Sequence, residues 1–344
     1  MKLRVGLIGL GEAWPQRHRP SLRMLHNRFE VRAVFNNVPL LAEQAAREFG
    51  AAKCDGYRSL VARNDVDAVL ILENAWQGWL PIIAACEAGK AVYWAAELNF
   101  DADLAMQLTE RVDHSGIAFM AEFPRRFAPA TLRLKELIAT HLGAPQLLFC
   151  HRRLPDGAGR GPQANDDTHK LQRTEAELVG LIDWCRYVVG REPTTVSSIC
   201  HGNPDCPDYW AITLEFPSVS PSAAPVVAQI SCGLYVPASW HEAISFRPPS
   251  AMQIRCDSGV AFVDLPTTLV WFDEAGRHLE SLDTELPVGE QLLTQFHRAV
   301  TSLVRKMGDL EDACRSLHIL RTARAAVEQG RRMPVTFPEK TLRR

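Results

Sequence analysis

Val5-Gly6-Leu7-Ile8-Gly9-Leu10-Gly11 (residues 5–11) is the stretch that decides how this chain folds. The apolar run from Leu3 to Ile8 predicts a strand, and residues 15–26 predict a helix, with Pro15 near its first turn, where a missing N–H costs little. A Gly-x-Gly between a strand and a helix has a physical use. The first glycine permits a tight turn, and the second lets the backbone approach a pyrophosphate. The helix N-terminus then supplies N–H donors and the positive end of its dipole. Gly9, Leu10, Gly11, Glu12, Ala13 and Trp14 are therefore the expected cofactor contacts of this turn. A third glycine would fall on Trp14, or on Pro15 if the loop holds one extra residue. Neither packs a helix against a strand as closely as glycine does, and Pro15 offers no N–H.

Working outward, short apolar strands alternate with helical patterns. Glu30 to Phe35 reads as a second strand, and Leu40 to Phe49 as a helix stopped by Gly50. Asp67 to Leu72 is a buried strand by its continuous apolar run. Residues 79–88 form a helix ending at Gly89, and Ala91 to Trp94 the next strand. Asp101 can cap a helix with Leu104, Leu108 and Val112 on one face, and Ile117 to Ala121 closes the series. This alternation implies βαβ units, a parallel sheet, and a dinucleotide-binding Rossmann domain over residues 1–122. The second strand should end in an acid for the ribose of NAD, but it ends in Asn36-Asn37. Asparagine can bond a ribose and does not repel a 2′-phosphate, so NAD and NADP both stay open. The plainer alternative is that the pair starts a turn before Pro39.

Residues 123–344 predict a second, α+β domain. Pro129 to Leu142 and residues 174–189 read as helices, with a Gly- and Pro-rich loop over Gly157 to Asp167 between them. Several strands with turns follow from 194 to about 285, suggesting an antiparallel or mixed sheet, and residues 288–304 and 309–328 return to helix. A formal net charge of −2 gives no basic field for nucleic acid or an anionic membrane. No apolar run approaches the ~20 residues that span a bilayer, and the N-terminal stretch is too short for a secretion signal, so a cytoplasmic protein is expected. The nine cysteines are scattered, and free thiols are the default. Cys200-His201 with Asp205-Cys206 matches no zinc spacing, and no metal site is expected.

Several pieces together resemble the Gfo/Idh/MocA family, the glucose–fructose oxidoreductase and inositol dehydrogenase group. They are VGLIGLG, His18-x-Pro20-x-Leu22, EVRAVFN, Val66-Asp67-Ala68-Val69, Glu87-Ala88-Gly89-Lys90, Arg126-Phe127-x-Pro129, Ile182-Asp183-Trp184 before Gly190, and the closing Asp309-Leu310-Glu311-Asp312 through Gly330-Arg331. The resemblance covers nearly the whole chain. It implies an open-faced mixed β-sheet in the second domain, a homo-oligomer through that sheet, NAD or NADP, and a sugar or polyol substrate. It also implies cofactor contacts from Leu72, Glu73 and Asn74 after the fourth strand and from Ala95 and Ala96 after the fifth, and substrate contacts from Arg126 and Asp183. The family's proton-transfer groups do not carry over. Its Glu-Lys-Pro falls on Ala95-Ala96-Glu97, so the lysine is Ala96. The Asp and His that precede the retained Asp183 by seven and three residues fall on Ala176 and Gly180.

Three groups remain for acid/base chemistry. Glu97 adjoins the lost lysine, though a solvated acid before a helix would look the same. His169 is expected in the loop before the inner helix, where a histidine is commonly only solvated. Asp183 is expected to face the cleft. Trp76, Trp79 and Trp94 can form a sugar-stacking platform or fill the core. Three functions are compatible with these residues. One is an NAD(P)-dependent oxidoreductase of sugars or polyols with a relocated acid/base. Another is a non-catalytic nucleotide- or ligand-binding relative serving as a partner or regulatory subunit. The third is a lyase, epimerase or hydrolase with tightly bound NAD.

Overall fold

The strand–helix alternation of the first third resolves into a six-stranded parallel sheet with the order β3-β2-β1-β4-β5-β6. The computed structural model describes residues 2–73, 77–95, 102–156, 167–203, 205–218, 224–237, 239–240, 242–243, 246, 251–302 and 309–337. The sheet is built from β1 (Leu3–Ile8), β2 (Phe29–Phe35), β3 (Ala52–Lys53), β4 (Ala68–Ile71), β5 (Ala91–Trp94) and β6 (Phe119–Ala121). Every residue of β4 and β5 is buried, as a parallel sheet covered on both faces requires. The connecting helices are α1 (Arg19–Met24), α2 (Pro39–Phe49), α3 (Tyr57–Val61), α4 (Leu80–Glu87) and α5 (Ala102–Ser115). Strand order reverses between β1 and β4, and the crevice at such a switch point is where open α/β sheets bind ligands.

The start of the first helix differs from a regular helix over 15–26. Trp14–His18 is a π-helical turn, in which His18 N–H donates to Ala13 O at 3.3 Å and Arg19 N–H to Trp14 O. One extra residue is thereby absorbed before α1, which places Pro15 inside the widened turn. The short β3 and α3 carry too few residues to show a period in the sequence.

The chain forms two units, Met1–Pro124 with Leu286–Cys314, and Arg125–Glu285 with Arg315–Arg344. A boundary drawn at 122 from strand–helix alternation misses the return of residues 286–314 to the first unit. Within it, α8 (Val288–Thr301) lies beside α1. A Cβ on Gly289 would meet the Ser21 hydroxyl and the backbone oxygen of Arg17. The Phe296 ring stands edge-on to Tyr93 of β5 at 5.4 Å, and His297 meets Phe29 of β2 at 5.6 Å. The apolar stripe of α8 is legible in the sequence, but not the face that it covers.

The second unit is a nine-stranded mixed sheet, order β14-β13-β12-β11-β7-β10-β9-β8-β15. Its strands are β7 (Pro145–Asp156), β8 (Thr195–Asn203), β9 (Cys206–Phe216), β10 (Val226–Pro237), β11 (Met252–Cys256), β12 (Gly259–Asp264), β13 (Thr268–Asp273), β14 (Gly276–Ser281) and β15 (Met333–Pro334). Only β7 and β10 pair in parallel; the other neighbours are antiparallel. α6 (Pro129–Leu137) and α7 (Asp167–Val189) pack on one face, over Leu148, Cys150, Ile212, Ile230 and Ile254. The opposite face carries the register row Leu279, Val270, Phe262, Gln253, Phe149 and Gln229. Phe149, Phe272 and Leu279 are exposed on it. α9 (Asp309–Gln329) precedes β15. No described helix is long and apolar enough to cross a membrane.

The burial of Phe296 makes α8 part of the first unit's core. Phe296→Ala should cost about 3–5 kcal/mol, read as a lower urea midpoint at unchanged slope. A loss below about 1 kcal/mol would show that α8 contributes little to that core.

Candidate cofactor and substrate sites

The Gly-x-Gly turn is closed by backbone. Gly9 has φ 71° and Gly11 φ 32°, and Gly9 N–H donates to Phe35 O at 2.9 Å while Leu72 N–H donates to Ile8 O at 2.9 Å. An ideal Cβ on Gly9 would lie 2.6 Å from the Glu73 carbonyl oxygen, and one on Gly11 2.5 Å from that of Leu72. Both glycines are thus required by the end of β4 as well as by their dihedrals. Trp14 N–H turns back to Gly11 O at 3.2 Å. The N–H groups of Glu12 and Ala13 make no hydrogen bond among the described residues, which leaves donors at the helix entrance for an anion.

An open groove of about 1280 Å³ brings Leu10, Gly11, Glu12, Trp14, Asn36 and Glu73 together. Its volume exceeds the ~300–1,000 Å³ of ordinary small-molecule pockets. Asn36 is buried, and its side-chain oxygen accepts from Val38 N–H at 2.8 Å. Asn37 is exposed, and its side-chain oxygen accepts from Gln77 Nε2 at 2.5 Å. The plain turn reading therefore describes Asn36, whose amide donor is left for a ribose oxygen or a phosphate. The unengaged N–H groups at the turn fit a dinucleotide's pyrophosphate, and the asparagines at the end of β2 fit NAD and NADP alike. Ala95 continues from β5 and is half-buried. Asn74, Ala96, Glu97 and Trp76 lie outside the described residues. Trp94 is core, packed edge-on to Phe119 at 6.1 Å, and Trp79 is half-buried.

Beneath this turn lies a charge cluster that the sequence does not announce. Glu122, just past β6, is buried and accepts from His18 Nε2 at 2.7 Å, from the Tyr93 hydroxyl at 2.6 Å and from Arg17. Burial alone would raise its carboxyl, but the bond from His18, the charges of His18 and Arg17, and the Tyr93 hydroxyl outweigh that and hold it lowered. The cluster ties the π turn to β5 and β6. Adjacent Arg17-His18 after the glycine turn is the one available sequence signal.

In the second unit, Asp183 does not present an open carboxylate. It is 1% exposed, and Arg126 grips both its oxygens, with Nε to Oδ2 at 2.8 Å. Arg186 stands 3.7 Å from it, and the Arg126 guanidinium lies 5.3 Å from the Tyr187 ring centre. The two expected substrate residues thus neutralise each other. His169 is in the first turn of α7 and not in a loop, because the helix begins at Asp167 instead of 174. At Gly180 a Cβ would collide with the Arg125 guanidinium, which is bonded to Glu177 one turn earlier. Arg125 and Glu177 were legible only as charges: Glu177 is three residues from Gly180 on the same helical face. Among the described residues no cluster of three or more His, Cys, Asp or Glu could hold a metal, and all nine cysteines are free.

The family model for an oxidoreductase family with an NAD-binding Rossmann fold, Gfo/Idh/MocA, matches residues 3–116. An inositol 2-dehydrogenase of Acidothermus cellulolyticus is 34% identical over 248 residues, 70% of this chain and 68% of that one. The chain belongs to the Gfo/Idh/MocA oxidoreductase family. An inositol 2-dehydrogenase/D-chiro-inositol 3-dehydrogenase of Shouchella clausii is 33% identical over 162 residues, so that match spans about half of either chain, 46% of each. A solved oxidoreductase from Thermotoga maritima superposes with TM-score 0.79 at 19% identity, over 97% of this chain and 99% of that one, and so shares the fold.

Glu122→Gln should cost about 3 kcal/mol near neutral pH, because it removes the buried charge that Arg17, His18 and Tyr93 bond to. A lowered carboxyl stabilises above its unfolded pKa of about 4.3 and loses that contribution as pH falls through the folded value. The gap between wild type and variant in urea denaturation should therefore close on acidification. A gap independent of pH would show that Glu122 acts by packing alone.

Proposed function

We propose that the chain is an NAD(P)-dependent oxidoreductase of a sugar or polyol whose acid/base group has moved from the family's usual positions. The carrying observation is the Gly9–Gly11 turn, closed by Leu72–Glu73 and offering the Glu12 and Ala13 N–H groups beside a large groove. Family membership and relatives named as inositol and D-xylose dehydrogenases support the reaction and substrate class. NAD or NADP, when bound, supplies the hydride acceptor or donor. The turn N–H groups would hold its pyrophosphate and Asn36 and Asn37 its ribose edge, with Leu72, Glu73, Asn74, Ala95 and Ala96 as the further contacts that the family resemblance implies. Proton transfer at the substrate hydroxyl falls to Glu97, with His169 as the alternative. Asp183 orients Arg126 and is not the base, since its carboxylate is buried and bridged.

A second reading, a binding relative without turnover, is favoured by the Arg125 guanidinium that fills the space over Gly180. The exposed Phe149, Phe272 and Leu279 face of the second sheet is the surface for a homo-oligomer.

The test is to titrate the full chain with NADH and NADPH by fluorescence, extract the denatured protein for retained nucleotide, and assay myo-inositol and D-xylose. Expected are binding of one nucleotide, weakened about tenfold or more in Gly11→Ala, and turnover abolished in Glu97→Gln with binding intact. No binding of either nucleotide at millimolar levels would sink the proposal. Binding without turnover selects the second reading. A retained mixture of oxidised and reduced nucleotide selects a lyase, epimerase or hydrolase with tightly bound NAD. Ala96→Lys alone should add no sugar dehydrogenase turnover, because Gly180 leaves no room for the second proton-transfer group; robust gain in that variant would contradict this.

A further inference from the structure

Arg173, Glu177 and Gly180 follow at spacings of four and three, so they share one face of α7. Two guanidiniums from elsewhere in the second unit converge on that face. Arg125 Nη2 donates to Glu177 Oε1 at 2.5 Å, and Arg152 Nε of β7 donates to the same oxygen at 2.7 Å. Arg173 donates to the Pro155 carbonyl at 3.0 Å. Burial and the Glu177 charge push the Cys232 thiol up to about 12, against the opposing charges of Arg152, Arg125 and Arg173. One carboxylate, Glu177, faces the two guanidiniums of Arg125 and Arg152, an excess of one positive charge.

Here the single carboxylate is shared between two arginines through one oxygen, and each of those arginines makes one hydrogen bond among the described residues. Each guanidinium has five N–H donors, so most remain. The Arg152 side chain is 45% exposed, and Arg125 is 20% exposed, so a solute can reach both. Planar guanidinium forks match carboxylate and phosphate oxygens two at a time. A neutral polyol would use only a fraction of those donors and none of the charge.

We propose that Arg125 and Arg152, held by Glu177, bind an anionic substituent, a carboxylate or a phosphate, on the polyol substrate. The polyol half of this ligand rests on the oxidoreductase reading; the anion half does not. Gly180 is part of the device, because any side chain there would displace the Arg125 guanidinium. Glu177 is a positioning residue, keeping two like charges side by side and sharing one acceptor between them.

The experiment is calorimetric binding to the full chain of D-glucuronate, D-glucose 6-phosphate, D-glucose and inorganic phosphate, with NADH and NADPH titrated in parallel. At least one anionic sugar should bind about tenfold or more tighter than D-glucose, and the ratio of glucuronate to glucose 6-phosphate tells carboxylate from phosphate. Arg152→Ala should remove most of that preference with nucleotide affinity unchanged, and Arg152→Lys should restore part of it. Equal binding of D-glucose and both anionic sugars, or an unchanged preference in Arg152→Ala, overturns the proposal. Anion preference in a protein that binds neither nucleotide supports the cluster and removes the oxidoreductase reading, so the two failures are distinct.

Discussion

Nothing larger than hydrogen fits on the α-carbons of Gly9 and Gly11, because the backbone leaving β4 passes through that space. Much of the first unit follows from this contact. It pins the end of β1 to the end of β4, the adjacent central strands at which the order reverses. It also fixes where the following helix begins, and so where its unengaged N–H groups point. The extra residue is taken up afterwards, in the π turn, so the glycine contact stays intact although no third glycine is present. A buried carboxylate, Glu122, then secures that turn from below through Arg17 and His18.

The second unit works by charge placement more than by close approach. Asp183 and Arg126 cancel within a buried pair, which makes them a rigid support. Arg125, Arg152 and Glu177 do not cancel, and that surplus is what gives the neighbouring face of α7 a chemistry. Adjacent arginines in the sequence, Arg125 and Arg126, thus have different roles: one is closed off by an aspartate, the other shares a glutamate and keeps donors in reserve.

The parallel sheet was legible because its strands are continuous apolar runs and its helices end at glycines such as Gly50 and Gly89. Both signals are local. The mixed sheet was legible in outline, but β7 was not, since its burial does not alternate cleanly and Arg152 and Arg153 interrupt the apolar pattern. The return of α8 could not be read, because an amphipathic helix specifies an apolar stripe and not its distant partner. The same limit applies to the sites. The glycine turn shows in the sequence through its spacing, whereas the bridging of Asp183 and the filling of Gly180 are made by residues some 55 positions away. A residue's type shows that it can ionise; only its neighbours show whether that charge is already answered.

The return of Leu286–Cys314 to the first unit has a consequence for synthesis of the chain. The six strands leave the ribosome long before the helix that packs on Tyr93 and Phe29. The intervening segment, Arg125–Glu285, takes on the order of ten to thirty seconds to translate at about 5–20 residues per second. For that interval the nascent sheet has an uncovered apolar strip, open to chaperones or to another nascent chain. Neither unit can close as soon as its first strands are made: Leu286–Cys314 completes the first unit, and Arg315–Arg344, made last, completes the second.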